Sequence, residues 1–355
     1  WIGEEIAEKF TSAAADCSKL NDSSAKKDLS VVYTPLFGSG RDFVLDALEK
    51  DGFSQVHLVK KQAGFDGKFP GLRKPNPEEP EVFRIAEREA LEEQADLMIA
   101  TDPDSDRIGA GVICDSKAFF FTGNQIGALL ADFLSRQGSV KGKIMVTTVV
   151  TGDLGSRIVT SRGATVIHTL TGSKFVCEEM NHMEAGEFLL GYEESHGYIG
   201  GMHIRDKDGV LAAMLLCETA AWHKTQGRTL LDALEDLYQK YGYYIDEQDS
   251  FVFEGAKGAK EMQKIMVRLR SRRGSVFAPL GKPDKILDYE KGVDELPRSN
   301  VLKFFFPNGS WVAVRPSGTE PKIKFYYCIR GKDQRQAQDL YEAVQTSVEE
   351  FLRTF

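Results

Sequence analysis

Short apolar runs alternate with amphipathic stretches along most of this chain. "LSVVYTPLFGSG" predicts a strand running into a glycine turn, followed by a helix over "RDFVLDALEK" and a second strand at "VHLVK". "KIMVTTVVTGDLGS" repeats that layout, with a helix around "RIVTS" and a strand at "ATVIHTL". Two such strand–turn–helix–strand units read as copies of one α/β architecture. The proline-rich "PGLRKPNPEEP" (70–80) reads as a loop, and a helix over "EVFRIAEREALEEQA" leads from it toward a cluster of aspartates. After "YQKYGYYIDEQDS" the pattern changes. A basic amphipathic helix, "GAKEMQKIMVRLRSRR", precedes β-rich sequence ending in "WVAVRPSGTEPKIKFYYCI", and "QAQDLYEAVQTSVEEFL" closes the chain as an amphipathic helix. Domain boundaries are expected near 113 and 247.

Composition narrows the class. At 355 residues the chain is long for one core. A net charge of -8 leaves no basic footprint for nucleic acid or an anionic membrane. The most apolar stretch, "GVLAAMLLCETAAW", is shorter than the ~20 residues needed to span a bilayer. Five scattered cysteines without C-x-x-C spacing fit reduced thiols in a cytosolic protein rather than a disulfide frame or zinc site. "WIGEEIAEKF" lacks the basic and apolar regions of a signal peptide. Opening on Trp1 rather than Met, the chain reads as a piece of a longer protein.

The chemistry begins at "LMIATDPDSDRIGAG" (97–111), where an apolar run ends in Asp102, Asp104 and Asp106. Residues two apart in an extended segment point the same way, about 6.6 Å apart, so a modest curl gathers the three carboxylates. Two such charges near ~4 Å repel by roughly 1 to 4 kcal/mol, a convergence a fold avoids unless a cation occupies it. Hard oxygen ligands suit Mg²⁺. The plainer alternative is a solvated acidic turn with the carboxylates splayed. An EF-hand fails, because Arg107 and Ile113 stand where glycine and glutamate are needed. A D-x-D phosphatase nucleophile ranks below the metal loop, since Ser105, Asp106 and Arg107 follow where that motif continues apolar.

Three further segments carry candidate binding chemistry. In "RPSGTEP", small residues let backbone N–H groups approach an anion, Ser317 and Thr319 add hydroxyls, and Arg315 offers a planar fork for phosphate; a simple hairpin turn would need only Pro316, Ser317 and Gly318. In "LLGYEESHGYIGG", Glu193, Glu194 and Ser195 stand on a turn where they could hydrogen-bond sugar hydroxyls, and His196 receives no role. In "HIRDKDGV", Arg205 and Lys207 precede a helix that Asp208 would cap. Lys174 in "TLTGSKFV" reads from spacing as a solvated loop lysine. "FGSG" (37–40) is no dinucleotide fingerprint, because Phe43 stands where the third glycine belongs.

In order, "TDPDSDR", "GYEES" with "RDKDG", and "RPSGTEP" resemble the metal, sugar-recognition and phosphate-binding loops of the α-D-phosphohexomutases, the family of phosphoglucomutases and phosphomannomutases. "PNPEEPE" and "TLTGSKF" resemble it too, so the likeness covers nearly the whole chain, and "YTPLFGSG" leans toward the phosphoglucomutase and phosphopentomutase-like branch. The resemblance implies an α/β fold: two related α/β domains with mixed sheets (1–113 and 114–246) plus a smaller C-terminal α+β domain (247–355). These correspond to the second, third and fourth of four family domains. The first carries the phosphorylated serine in a T-A-S-H-N-P-like loop; "FTSAAADCS" does not match it, so the chain alone is expected to be inactive.

The same resemblance implies roles. Asp102, Asp104 and Asp106 would hold Mg²⁺, with Arg107 beside it. Glu193 and Ser195 would grip sugar hydroxyls. Arg315, Ser317, Gly318 and Thr319 would anchor the non-reacting phosphate. Lys207, with Arg205 and Lys174, would orient the sugar phosphate or assist proton transfer. The implied substrate is a hexose or pentose phosphate and the implied intermediate and activator a sugar bisphosphate. Neither nucleic acid nor membrane is an implied partner, and the implied location is the cytoplasm. The contrasting class is a non-catalytic sugar-phosphate-binding protein on the same fold.

Overall fold

The two repeats expected from the apolar runs form two sheets with matching connectivity. The computed structural model describes residues 3–184, 186–253, 255–317 and 321–355, without the side chains of 255–257. Helices α1 (Glu4–Ala15) and α2 (Ser23–Asp28) lead into β1 (Ser30–Thr34), α3 (Gly40–Asp51) and β2 (Gln55–Leu58). The proline-rich segment holds no strand or helix until a tight 3-10 turn at Pro80–Phe83, which opens into α4 (Arg84–Glu93). Strands β3 (Leu97–Thr101), β4 (Ile108–Cys114) and β5 (Lys117–Phe121) complete the first copy. The second copy runs through α5 (Gly123–Leu134), β6 (Ile144–Thr148), α6 (Asp153–Ser161), β7 (Thr165–Thr169), α7 (Ser173–Met180), β8 (Phe188–Glu193) and β9 (Gly197–Ile199).

The sheet orders are β2-β1-β3-β4-β5 and β7-β6-β8-β9. In each, the first three strands pair in parallel and the next joins antiparallel, so β1 matches β6 and β3 matches β8. Strand β3 is buried at every position, which is why it reads as an unbroken apolar run. The consequence for function is positional. The aspartate loop between β3 and β4 and the Glu194–His196 turn between β8 and β9 are the same junction in two copies.

Helix α8 (Gly209–Lys224) is buried over Gly209–Ala221, and packs on α3 and α5 and against β3, β4 and β9. A helix apolar on all sides belongs inside a protein, and no described helix is long and apolar enough to cross a membrane. Its capping residue is Asp208, whose Oδ1 accepts from the Val210 and Leu211 N–H groups at 2.9 and 3.1 Å.

The chain divides into two compact units at Asp236/Leu237, inside α9 (Leu230–Tyr241). The second unit contains β10 (Tyr243–Val252), α10 (Gly255–Arg272), β11 (Lys285–Asp288), β12 (Leu302–Phe305), β13 (Trp311–Pro316), β14 (Lys322–Gly331) and α11 (Gln334–Leu352). Its strands form one antiparallel sheet, β10-β14-β13-β12-β11. Val312, Val314, Ile323, Phe325 and Tyr327 share a core with Ile265 and Leu269 of α10 and Val344 and Val348 of α11. Strand side chains alternate between faces, so Arg315 and Lys324 stand on the sheet face opposite that core.

Candidate functional site

Strand β3 delivers Asp102 to the edge of the core, where it is 8% exposed, and the chain then turns sharply. The Ser105 N–H donates to the Asp102 carbonyl at 3.0 Å, and the Arg107 N–H donates to Asp102 Oδ1 at 3.0 Å. Ser105 takes a left-handed φ of 61°, curling the loop enough to bring one carboxylate oxygen each of Asp102, Asp104 and Asp106 within 4.8 Å of one another. Burial pushes the Asp102 carboxyl up to about 7, and the charges of Asp106 and Asp104 push the same way against the Arg107 N–H. The carboxylates are therefore gathered, not splayed, and their charge is incompletely compensated. Three convergent hard oxygens fit Mg²⁺ by donor type and by electrostatic demand.

The support for this loop comes from segments distant from it in sequence. A Cβ built on Gly38 would lie 2.3 Å from Pro103 Cα, so only glycine lets the "FGSG" turn pass against the aspartate loop. Ser39 next to it donates to the Pro103 carbonyl through its N–H at 2.8 Å and its hydroxyl at 3.1 Å. Glu78 of the proline-rich loop accepts from Arg107 Nη1 at 2.6 Å, and the same guanidinium lies 3.6 Å from Asp106. Gly38, Ser39 and Glu78 thus position the candidate ligands without touching the expected ion site themselves. No local spacing announces them, since their partners are distant in sequence.

The second copy supplies the other wall. Arg107 and Gly197 form an antiparallel bridge, the Ile108 N–H donates to the His196 carbonyl at 3.1 Å, and His196 Nδ1 donates back to the Ile108 carbonyl at 2.9 Å. That bond fixes the imidazole tautomer, and burial lowers its proton affinity, so His196 is a neutral latch. Its φ of 65° mirrors that of Ser105 at the equivalent junction. The Gly209 N–H donates to the Ser105 carbonyl at 2.9 Å, and the Lys207 ammonium bonds the Asp106 carboxylate.

Other candidate residues fall around this centre. Glu193 is the last residue of β8 rather than a turn residue, because its backbone still pairs with Gly197. Its Oε1 accepts from the Gly172 N–H at 2.8 Å, which ties it to the turn preceding Lys174. Lys174 is exposed on the first turn of α7, its Nζ 4.8 Å from the Phe175 ring centroid. Glu194 Oε2 accepts from the Thr148 and Thr151 hydroxyls at 3.4 and 3.3 Å, and Ser195 is half-buried in the turn. Arg205 bonds Asn181 at 3.2 Å and the Met202 carbonyl at 2.7 Å, not the aspartates.

In the second unit, Arg315, Ser317, Lys322 and Lys324 line a cavity of about 200 Å³. The Ser317 N–H donates to the Lys322 carbonyl at 2.8 Å, closing the strand ends on each other. Three cations and a hydroxyl on one small concavity suit a phosphate. Lys322 and Lys324 add to the residues expected from the sequence, and their alternation in "KIKF" is the signal that places both on the Arg315 face. Gly318 and Thr319 lie outside the described residues.

Comparison with known proteins agrees with this layout. Three models of one family match: phosphoglucomutase/phosphomannomutase alpha/beta/alpha domain II over residues 8–114, alpha/beta/alpha domain III over 122–241, and the C-terminal domain over 252–346. The chain is 35% identical over 334 residues to a phosphoglucomutase of Staphylococcus haemolyticus, covering 90% of this chain and 61% of that protein. A phosphoglucomutase of Staphylococcus epidermidis is 36% identical over 318 residues, covering 86% of this chain and 58% of that protein. The chain therefore spans about three fifths of the length of these relatives. Among solved structures, the Paramecium exocytosis-sensitive phosphoprotein parafusin, a phosphoglucomutase in an open form, shares the fold at TM-score 0.72 and 21% identity over 96% of this chain and 61% of that one. A phosphoglucomutase/phosphomannomutase family protein of Burkholderia thailandensis shares it at TM-score 0.69 and 17% identity, covering 97% and 64% of the two chains.

Proposed function

Because this chain belongs to the phosphoglucomutase/phosphomannomutase family, we propose that it is the metal-, sugar- and phosphate-binding part of a cytoplasmic intramolecular phosphotransferase. The reaction interconverts a sugar 1-phosphate and the corresponding 6- or 5-phosphate through a phosphoserine and a sugar bisphosphate, which also serves as activator. Residues 1–113, 114–246 and 247–355 act as domains II, III and IV. The observation that carries the reading is the convergence of Asp102, Asp104 and Asp106 in a loop that Lys207 and Arg107 flank.

Asp102, Asp104 and Asp106 would hold Mg²⁺, whose chemistry there is to neutralise charge on the phosphoryl oxygens during transfer. Lys207 and Arg107 add positive charge beside the carboxylates and would hold phosphoryl oxygens of the substrate. Glu193 and Ser195 accept and donate hydrogen bonds to sugar hydroxyls. Arg315, Ser317, Gly318 and Thr319 hold the phosphate that is not reacting, and Lys174 and Arg205 orient the sugar phosphate. A mutase must accept both regioisomers, so contacts to hydroxyls and to a spectator phosphate serve it better than contacts to one reacting atom. The phosphoryl donor is a serine outside any loop of these 355 residues, which contain no T-A-S-H-N-P-like sequence. The second reading, a sugar-phosphate-binding protein that performs no transfer, would use the same binding residues.

Assaying the whole protein with Mg²⁺ across hexose and pentose 1-phosphates decides between them. Conversion to the terminal phosphate, stimulated by the matching bisphosphate, is expected. Binding with no turnover on any member of the panel would establish the second reading instead.

A further inference from the structure

Away from the aspartate loop, three side chains from distant positions stand in line. Cys17, just past α1, is half-buried, and its Sγ lies 3.9 Å from His203 Nδ1 and 3.4 Å from the Ala13 carbonyl. The other ring nitrogen, His203 Nε2, is 3.0 Å from Asp208 Oδ2. Asp208 cannot swing away, because its Oδ1 caps α8 through two backbone N–H groups and the residue is 3% exposed. Thiol and imidazole meet over Gly201. A Cβ there would lie 2.8 Å from Sγ and 2.9 Å from Nδ1, so a side chain at 201 would separate them. The Phe10 ring, 6.1 Å from the imidazole centroid, covers the pair from α1.

A carboxylate on one ring nitrogen and a thiol on the other is the order of groups that activates a cysteine: the acid holds the imidazolium, and the imidazolium favours thiolate. The bond to Asp208, and after it the contact with Cys17, push His203 up to about 9, so the ring is a cation at neutral pH. We propose that Cys17 is a reactive thiol, held by His203 and Asp208, that hydroperoxides oxidise to the sulfenic acid. The Cys17 thiolate attacks the O–H oxygen of the hydroperoxide, the S–O bond forms as O–O breaks, and the departing hydroxide or alkoxide takes the Nδ1 proton of His203 to leave as water or the alcohol. Sulfur loses the two electrons that the peroxide gains. Asp208 stands between Lys207 and Gly209, which bond the aspartate loop.

The chain carries its own controls. Cys114 is the exposed thiol, while Cys217 and Cys328 are buried. With limiting iodoacetamide at neutral pH, peptide mass spectrometry of the intact chain is expected to show Cys17 alkylated about tenfold faster than Cys114 despite its lower exposure. Under hydrogen peroxide with dimedone, the sulfenic adduct is expected at Cys17 before Cys114. Asp208→Asn keeps a capping side chain and His203→Gln keeps the ring's approximate bulk; each is expected to bring Cys17 down to the Cys114 rate while Cys217 and Cys328 stay protected. Equal rates at Cys17 and Cys114 in the unsubstituted chain would overturn the proposal. So would an undiminished Cys17 rate in a variant whose buried thiols remain protected. None of these readouts involves sugar-phosphate turnover, so failure here would leave the proposed mutase function untouched.

Discussion

Arg315 and Lys324 face each other across β13 and β14, two cations in directly opposed positions of an antiparallel pair. Like charges placed so are destabilising in a sheet, and Lys322 at the same cavity adds a third. Under the proposed function, a phosphate shared by the cations would offset that repulsion.

Inorganic phosphate is accordingly expected to raise the thermal midpoint of the chain, by mass action on the folded state. Arg315→Ala and Lys322→Ala should each remove most of that increment. A phosphate-induced rise of unaltered size in both variants would place the anion elsewhere.

Gly38→Ala tests the support of the aspartate loop. The added methyl would meet Pro103 backbone atoms at 2.3 to 2.8 Å, and the loop has to move to admit it. Loss of such an outer support typically weakens metal binding by about 10- to 100-fold. Calorimetric titration with MgCl₂ should show that drop, with overpacking lowering stability by only ~1 to 3 kcal/mol. Magnesium affinity equal to that of the unaltered chain would mean that the glycine turn does not govern the loop.

His223, near the end of α8, supplies a pH dependence. It is 4% exposed, and neither ring nitrogen has a hydrogen-bond partner among the described residues. Burial, aided by Arg228 and Arg136, pushes it down to about 4 against the pull of Asp132 and Asp236. The unfolded chain protonates this residue near its ordinary value of about 6.5, whereas the folded chain resists until about 4. Its stabilising contribution is therefore whole above the upper value and drains as pH falls to the lower, by ~3 kcal/mol at most. Urea unfolding across that interval should lose stability steeply, and His223→Leu should flatten the loss.

Glu218 is fully buried in α8 and accepts from the Ser18 hydroxyl at 2.6 Å and the Leu20 N–H at 3.0 Å. Its Oε1 also lies 2.8 Å from the Lys26 ammonium, which in turn reaches Asp51 at 2.6 Å. Glu218→Ala leaves the Ser18 hydroxyl and the Lys19 and Leu20 N–H groups without their buried acceptor while Lys26 keeps Asp51, for which about 1 to 3 kcal/mol of destabilisation per stranded donor is expected. A shift in the urea midpoint equivalent to less than ~1 kcal/mol would show that water replaces the carboxylate there.

The regular elements were legible because their signals are local. The alternation of "LSVVYT", "LMIAT" and "KIMVTT" with amphipathic stretches is enough to predict the parallel strands, and the every-second-residue aspartates expose their shared direction. The supports were not legible. Gly38 matters because Pro103 is next to it, Glu78 because Arg107 reaches it, and His196 because Ile108 lies across from it; each pairing joins residues far apart in sequence. His196 illustrates the limit well. A solitary histidine carries no spacing signal, and its latch exists only because two copies of one junction come together.

That meeting of junctions has an evolutionary consequence. The carboxylates belong to the first copy, yet their loop is completed by backbone groups of the second at His196 and Gly209. A recombination event that swapped the first copy alone would import the three carboxylates without their second-copy contacts. A gene fragment ending between the copies would encode the three carboxylates without the second-copy backbone contacts, at His196 and Gly209, that help to shape their loop.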